Sequence, residues 1–136
     1  ETQKIFFNTS NLALPDLTDL NKILQEQACV SRLLFVYGAM FENQSHTVQM
    51  LEDEFNMWEA AKMHPLLIDK RFKSETAKTA FLKVEHEDEY KSYYNRLREE
   101  RYKLGLIKRT VTSLENFSFK LDAIQRGLET ALKKLS

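Results

Sequence analysis

An all-α fold is predicted for this 136-residue chain by two interleaved heptad series near its C-terminal end and by an unusual shortage of helix breakers. Ile107, Leu114, Leu121, Leu128 and Leu135 recur at every seventh position, and Leu104, Val111, Ser118, Gln125 and Leu132 follow a second register between them. A spacing of three and four held this long needs one straight helix whose seam meets another helix. Glycine occurs three times and proline twice, where ordinary usage gives roughly nine and seven. Few breakers mean few turns, and therefore long helices. The fold class that follows is two long helices in an antiparallel coiled-coil-like hairpin, joined by a short helix and assembling into a helical oligomer.

The elements follow in chain order. Residues 1–15 set Ile5, Phe6 and Phe7 beside the turn formers Asn8, Thr9, Ser10 and Asn11 and show no helical period. They read as an extended arm with an apolar docking surface. Residues 16–136 form one helical domain. Pro15, Asp16 and Thr18 mark a helix start with Asp16 as cap, and the first helix is predicted to run from about Asp16 to about Met63. Its stripe reads Leu20, Leu24, Gln27, Ser31, Leu34, Tyr37, Phe41, Gln44, Val48, Leu51, Phe55, Trp58, broadened by Leu33, Val36 and Met40. Gly38 within it implies a close helix approach or a bend. His64-Pro65 is read as its end, because the residue before proline is steered out of the helical region.

A connection over Leu66 to Lys73 leads to Ser74, which can cap a short helix through Val84. The last helix is placed from Glu87, where Glu87, Asp88 and Glu89 suit the positive end of the helix dipole, to Lys133 and Lys134 at the negative end. Two helices of about 48 residues are each roughly 70 Å long. A lone antiparallel pair leaves its outer faces bare, and Phe117, Phe119 and Ile124 lie off the main seam. Self-association is the economical way to cover them.

Lysine plus arginine equals aspartate plus glutamate at 20 each, which excludes a global pull toward nucleic acid or membrane and leaves only local patches. The single cysteine, Cys29, closes no intrachain disulfide, and its apolar neighbours Ala28 and Val30 make it a buried thiol in a reducing cytoplasm. No apolar run approaches 18 residues and no charged-apolar-small signal pattern opens the chain. Asn-x-Ser/Thr triplets at Asn8, Asn43 and Asn116 read as coincidental in a cytoplasmic protein.

Catalytic chemistry finds no footing. His46, His64 and His86 have no cysteine or histidine at zinc-ligand spacing, so no metal or cofactor is expected. Glu52, Asp53 and Glu54, and Glu85, Glu87, Asp88 and Glu89, lack the Glu-x-x-His pattern of helical carboxylate-metal sites and read as solvated faces. Gly38, Gly105 and Gly127 are isolated, so no phosphate loop exists, and no serine stands in a nucleophile elbow.

One segment stands apart. Lys62, Lys70, Arg71, Lys73, Lys78 and Lys83 face only Asp69 and Glu75 between positions 62 and 83, with Phe72 and Phe81 interleaved. Phosphate contact and base stacking ask for those two ingredients. Arg96, Arg98, Arg101, Lys103, Lys108 and Arg109 make a second basic set, partly offset by Glu99 and Glu100. Repetition of a modest patch in an oligomer multiplies its avidity for a polyanion.

Taken with the long leading helix through Leu51-Glu52-Asp53-Glu54 and Trp58, the Lys70-Arg71-Phe72-Lys73 cluster and the long apolar closing helix, the chain resembles the UvsY-type phage recombination mediators. These are small all-helical proteins that load a recombinase onto single-stranded DNA. The resemblance implies DNA contact through Lys70, Arg71, Lys73 and Lys78, and oligomerisation through Leu114, Leu121, Leu128 and Leu132. Phe117 and Ile124 join that assembly set on the argument from the uncovered faces. The expectation is a non-enzymatic single-stranded-DNA-binding homo-oligomer in the cytoplasm, that of the host if phage-encoded, working with a recombinase or single-strand-binding protein. The rival is a scaffolding coiled coil that binds proteins and not DNA; a membrane-surface role fits worst.

Overall fold

The computed structural model describes residues 20–135. Among them it contains three helices, α1 (Leu20–Leu67), α2 (Glu75–Glu85) and α3 (Glu87–Leu135), and no strand. The fold is all-helical, as predicted. The arm over 1–15 and the Asp16 cap lie outside the described residues.

The helix boundaries follow local chemistry with one exception. Ser74 is extended, at φ −123° and ψ 155°, and its side chain accepts a hydrogen bond from the Ala77 amide at 3.1 Å, which caps α2 as expected. Glu87, Asp88 and Glu89 occupy the first turn of α3. The exception is Pro65, which lies inside α1 rather than beyond it. A proline this close to a helix end disturbs only the last turn, and continuing through it places Leu66 at 7% exposure, a burial that offsets the lost bond.

The described residues divide into two compact units, one of residues 20–42 with 105–135 and the other of Asn43–Leu104. In the first, Ile23, Val30 and Tyr37 of α1 pack with Leu114, Phe117 and Leu121 of α3, ringed by Leu33, Leu34, Met40, Val111, Ile124 and Leu128. Ile23, Leu114 and Leu121 are wholly inaccessible, and each such side chain contributes about 1.5 to 3 kcal/mol of transfer free energy. The seam of α1 here differs from the predicted stripe: Leu24 is 44% exposed and Ser31 is exposed. Ile23 and Val30 take their place, packed against Leu114, Phe117 and Leu121 of α3, and with Gln27, Leu34 and Tyr37 they still alternate by three and four.

Two further expectations in this unit are corrected. Cys29 is exposed, on the side of α1 away from Ile23 and Val30. Gly38 marks no close approach within the described chain, since a Cβ built on it meets nothing within 4 Å. Gly105 and Gly127 are equally open.

In the second unit Val48, Leu51 and Leu66 of α1, Leu82 of α2 and Leu97 of α3 are buried. An aromatic cluster joins them. Phe55 stacks on Trp58 at 5.9 Å and meets Tyr90 and Tyr93 at 5.7 Å, while His86 stands edge-on to Trp58 at 6.1 Å. The indole nitrogen of Trp58 donates to Glu89 Oε2 at 2.6 Å. Gln44 Nε2 donates to the Glu100 carbonyl at 2.9 Å and to its carboxylate at 2.5 Å, and Arg101 pairs with Glu52 at 2.8 Å.

Candidate nucleic-acid interface

The basic segment spans the end of α1, the connection and α2, all within the second unit. The connection is a compact turn in which the Asp69 amide donates to the Leu66 carbonyl at 3.2 Å and the Phe72 amide to the Asp69 carbonyl at 3.3 Å. Lys70, Arg71, Lys73 and Lys83 are exposed, and Lys62 and Lys78 are half-buried.

These cations are not equivalent. The Arg71 guanidinium closes on the Asp69 carboxylate through Nη2 to Oδ2 at 2.7 Å and Nε to Oδ1 at 3.1 Å, and its backbone amide reaches the same Oδ1 at 3.0 Å. The side-chain bonds from Arg71, then its amide, lower the Asp69 pKa to about 2. The same contact raises the Arg71 pKa. At neutral pH the pair carries no net charge, so Arg71 meets a phosphate only by giving up Asp69. The Lys83 ammonium sits 5.3 Å from the centre of the Tyr90 ring, a cation–π contact. Lys62, Lys70, Lys73 and Lys78 have no carboxylate within ion-pair distance among the described residues.

The interleaved phenylalanines do not offer stacking platforms. Phe72 and Phe81 are half-buried and pack on each other with centroids 4.6 Å apart, and the Arg71 guanidinium lies 5.5 Å from the Phe72 ring centre. Two rings brought together across a short turn exclude more water by pairing than by standing open. The segment therefore presents charge without exposed aromatic faces.

The second basic set is partly engaged. Lys103 pairs with Glu100 at 3.2 Å, and the Glu100 carboxyl is held below its usual range first by the hydrogen bond from Gln44 and then by Lys103. Arg98 has no ion pair among the described residues and stands between two exposed tyrosines, Tyr94 at 51% and Tyr102 at 64% exposure. Neither tyrosine was expected as a site residue, although their spacing of four on either side of Arg98 puts all three on one helix face.

The predicted assembly residues fall into two groups. Leu114, Phe117 and Leu121 are buried in the core of the first unit, and Ile124 and Leu128 pack half-buried against it. Phe117 and Ile124, expected to lie uncovered, are instead covered by α1 within the same chain. Leu132 and Phe119 are exposed, at 55% and 67%.

Among the described residues no three histidine, cysteine, aspartate or glutamate side chains gather as a metal site. Nor is any helix long and apolar enough to cross a membrane. Comparison with protein-family models, curated proteins and solved structures returned no match.

Proposed function

We propose that the chain is a non-enzymatic accessory protein that binds single-stranded DNA and assists recombination or replication, as a mediator loading a recombinase would. The carrying observation is the group of lysines around the α1 to α2 turn, Lys62, Lys70, Lys73 and Lys78, which have no acidic partner among the described residues. Uncompensated ammonium groups on a fixed turn bind phosphates and release counterions. A long two-helix hairpin assembled as a homo-oligomer would repeat this turn and raise its avidity. Exposed Leu24, Phe35, Val36, Phe119 and Leu132 support such assembly.

Labelled oligo-dT should be bound by the full chain at low salt and released as salt rises. Lys70→Ala with Lys73→Ala should weaken the binding and flatten its dependence on log salt by about 1.4, at about 0.7 per single-strand phosphate contact. A salt slope unchanged by the double substitution refutes the assignment. The second reading is a scaffolding module for protein partners. It is favoured by Met57, Ile68 and Val84, which are 73%, 85% and 77% exposed in the second unit, and it predicts indifference to oligo-dT.

A further inference from the structure

On the second unit, the α3 face running through Lys91, Tyr94, Asn95, Arg98, Arg101 and Tyr102 is bordered by two carboxylates, Glu87 one turn before Lys91 and Glu99 beside Arg98. At 1.5 Å rise per residue Tyr94, Arg98 and Tyr102 follow one another at about 6 Å intervals, each displaced only slightly around the helix. Both tyrosines keep at least half of their surface in solvent. They differ in this from Tyr90 and Tyr93, whose rings pack on Phe55 and Trp58. Tyr94 lies nearly parallel to Tyr90, at 14° and 6.3 Å, so the aromatic cluster supports one side of its ring.

The cations on this face have graded commitments. Lys91 reaches Glu87 at 2.7 Å and Arg101 reaches Glu52 at 2.8 Å, whereas Arg98 is exposed and has no ion pair among the described residues. Surface pairs such as those of Lys91 and Arg101 are worth little and exchange readily for a phosphate. An unpaired guanidinium between two exposed rings combines a backbone clamp with planes for bases.

We infer that the Tyr94–Arg98–Tyr102 face of α3 is a stacking site for single-stranded nucleic acid, with the bases on the two tyrosines and a phosphate on Arg98. The inference rests on the proposed function and moves base contact away from Phe72 and Phe81, whose rings pack on each other. It also separates two tasks: the lysines of the turn attract the backbone, and α3 senses that bases are attached to it.

The test compares oligo-dT with an abasic oligonucleotide of equal length and charge, using the full chain at low salt. Intact protein should prefer oligo-dT. Tyr94→Leu and Tyr102→Leu should each weaken oligo-dT binding about tenfold while leaving abasic binding and the helical circular-dichroism signal unchanged. Arg98→Gln should weaken both ligands together. Equal affinity of intact protein for the two oligonucleotides, or full retention of the preference in the double tyrosine variant, overturns the stacking site and leaves the lysine reading standing. Competition by polyglutamate as effective as that by oligo-dT also overturns it, and absence of any binding overturns both.

Discussion

Leu114 and Leu132 belong to the same pair of heptad series, yet one is inaccessible and the other 55% exposed. Truncating each therefore separates folding of the first unit from assembly. Leu114→Ala removes three carbons from a site enclosed by Ile23, Val30, Tyr37, Phe117 and Leu121, and the lost transfer energy plus the remaining cavity amount to about 3 to 5 kcal/mol. Against a typical domain stability of about 5 to 15 kcal/mol this is a large fraction. In urea, with a slope of about 2 kcal/mol per molar, the midpoint should fall by roughly 2 M. Far-ultraviolet circular dichroism reads it directly, because nearly every described residue is helical. Leu132→Ala should move the midpoint by no more than about 0.3 M, as exposed substitutions usually do. Equal small shifts for both, with Leu114→Ala lowering the mass in sedimentation, would refute the core assignment and return Leu114 to an oligomer interface.

Two other perturbations probe local features. Gly38→Ala should stabilise the chain by about 0.5 to 1 kcal/mol, since a methyl there meets nothing within 4 Å and mid-helix alanine is favoured over glycine; a destabilised variant in urea unfolding would reveal a neighbour pressed on that face. The Asp69 carboxyl should titrate near its folded pKa of about 2 rather than at 3.8. A lowered carboxyl pKa makes the Asp69 contribution fully present above the ordinary value and lost as pH falls through the folded one. The Asp69–Arg71 contact should thus persist from neutral pH through 3.8 and be half lost only near the folded pKa of about 2, while its contribution to stability declines between those two values. An NMR titration of Asp69 follows it, with Arg71→Gln moving the midpoint up toward 3.8 but not fully to it, because the amide of residue 71 still donates to Oδ1; an ordinary midpoint in the unaltered chain contradicts the pairing.

Helix class, the Ser74 cap and the start of α3 at Glu87 were legible because each is written in neighbouring residues: a period, a hydroxyl three positions before an amide, an acidic first turn. What depends on distant residues was not. Ile23 and Leu24 are equally apolar, and only the position of α3 in the first unit decides which is buried. The same holds for Phe117, which looks stranded along its own helix and is covered by α1. Lys70, Arg71 and Lys73 read alike in sequence, but of the three only Arg71 closes on a carboxylate, that of Asp69 two residues away. Tyr94 and Tyr102 escaped notice because a tyrosine on a helix is usually core; exposure, which no local pattern reveals, is what distinguishes them from Tyr90 and Tyr93.

Gln27 is half-buried on the seam of the first unit, where its amide donates to Asp122 at 2.9 Å and to Gln125 at 2.7 Å. An apolar seam is nearly indifferent to sliding by one heptad, since leucine replaces leucine. Gln27 is not indifferent. A one-heptad slide toward either end would set it against Ser118 or Leu132 in place of Gln125, and against Glu115 or Glu129 in place of Asp122. In the slide that brings Leu132 its amide would lose the Gln125 acceptor, at a cost of about 1 to 3 kcal/mol if the site stays shielded, and in the other the shorter Ser118 would have to replace it. The glutamine thus acts as a ratchet tooth among smooth residues. Gln27→Leu is expected to raise stability while letting the two helix segments of this unit settle in more than one alignment.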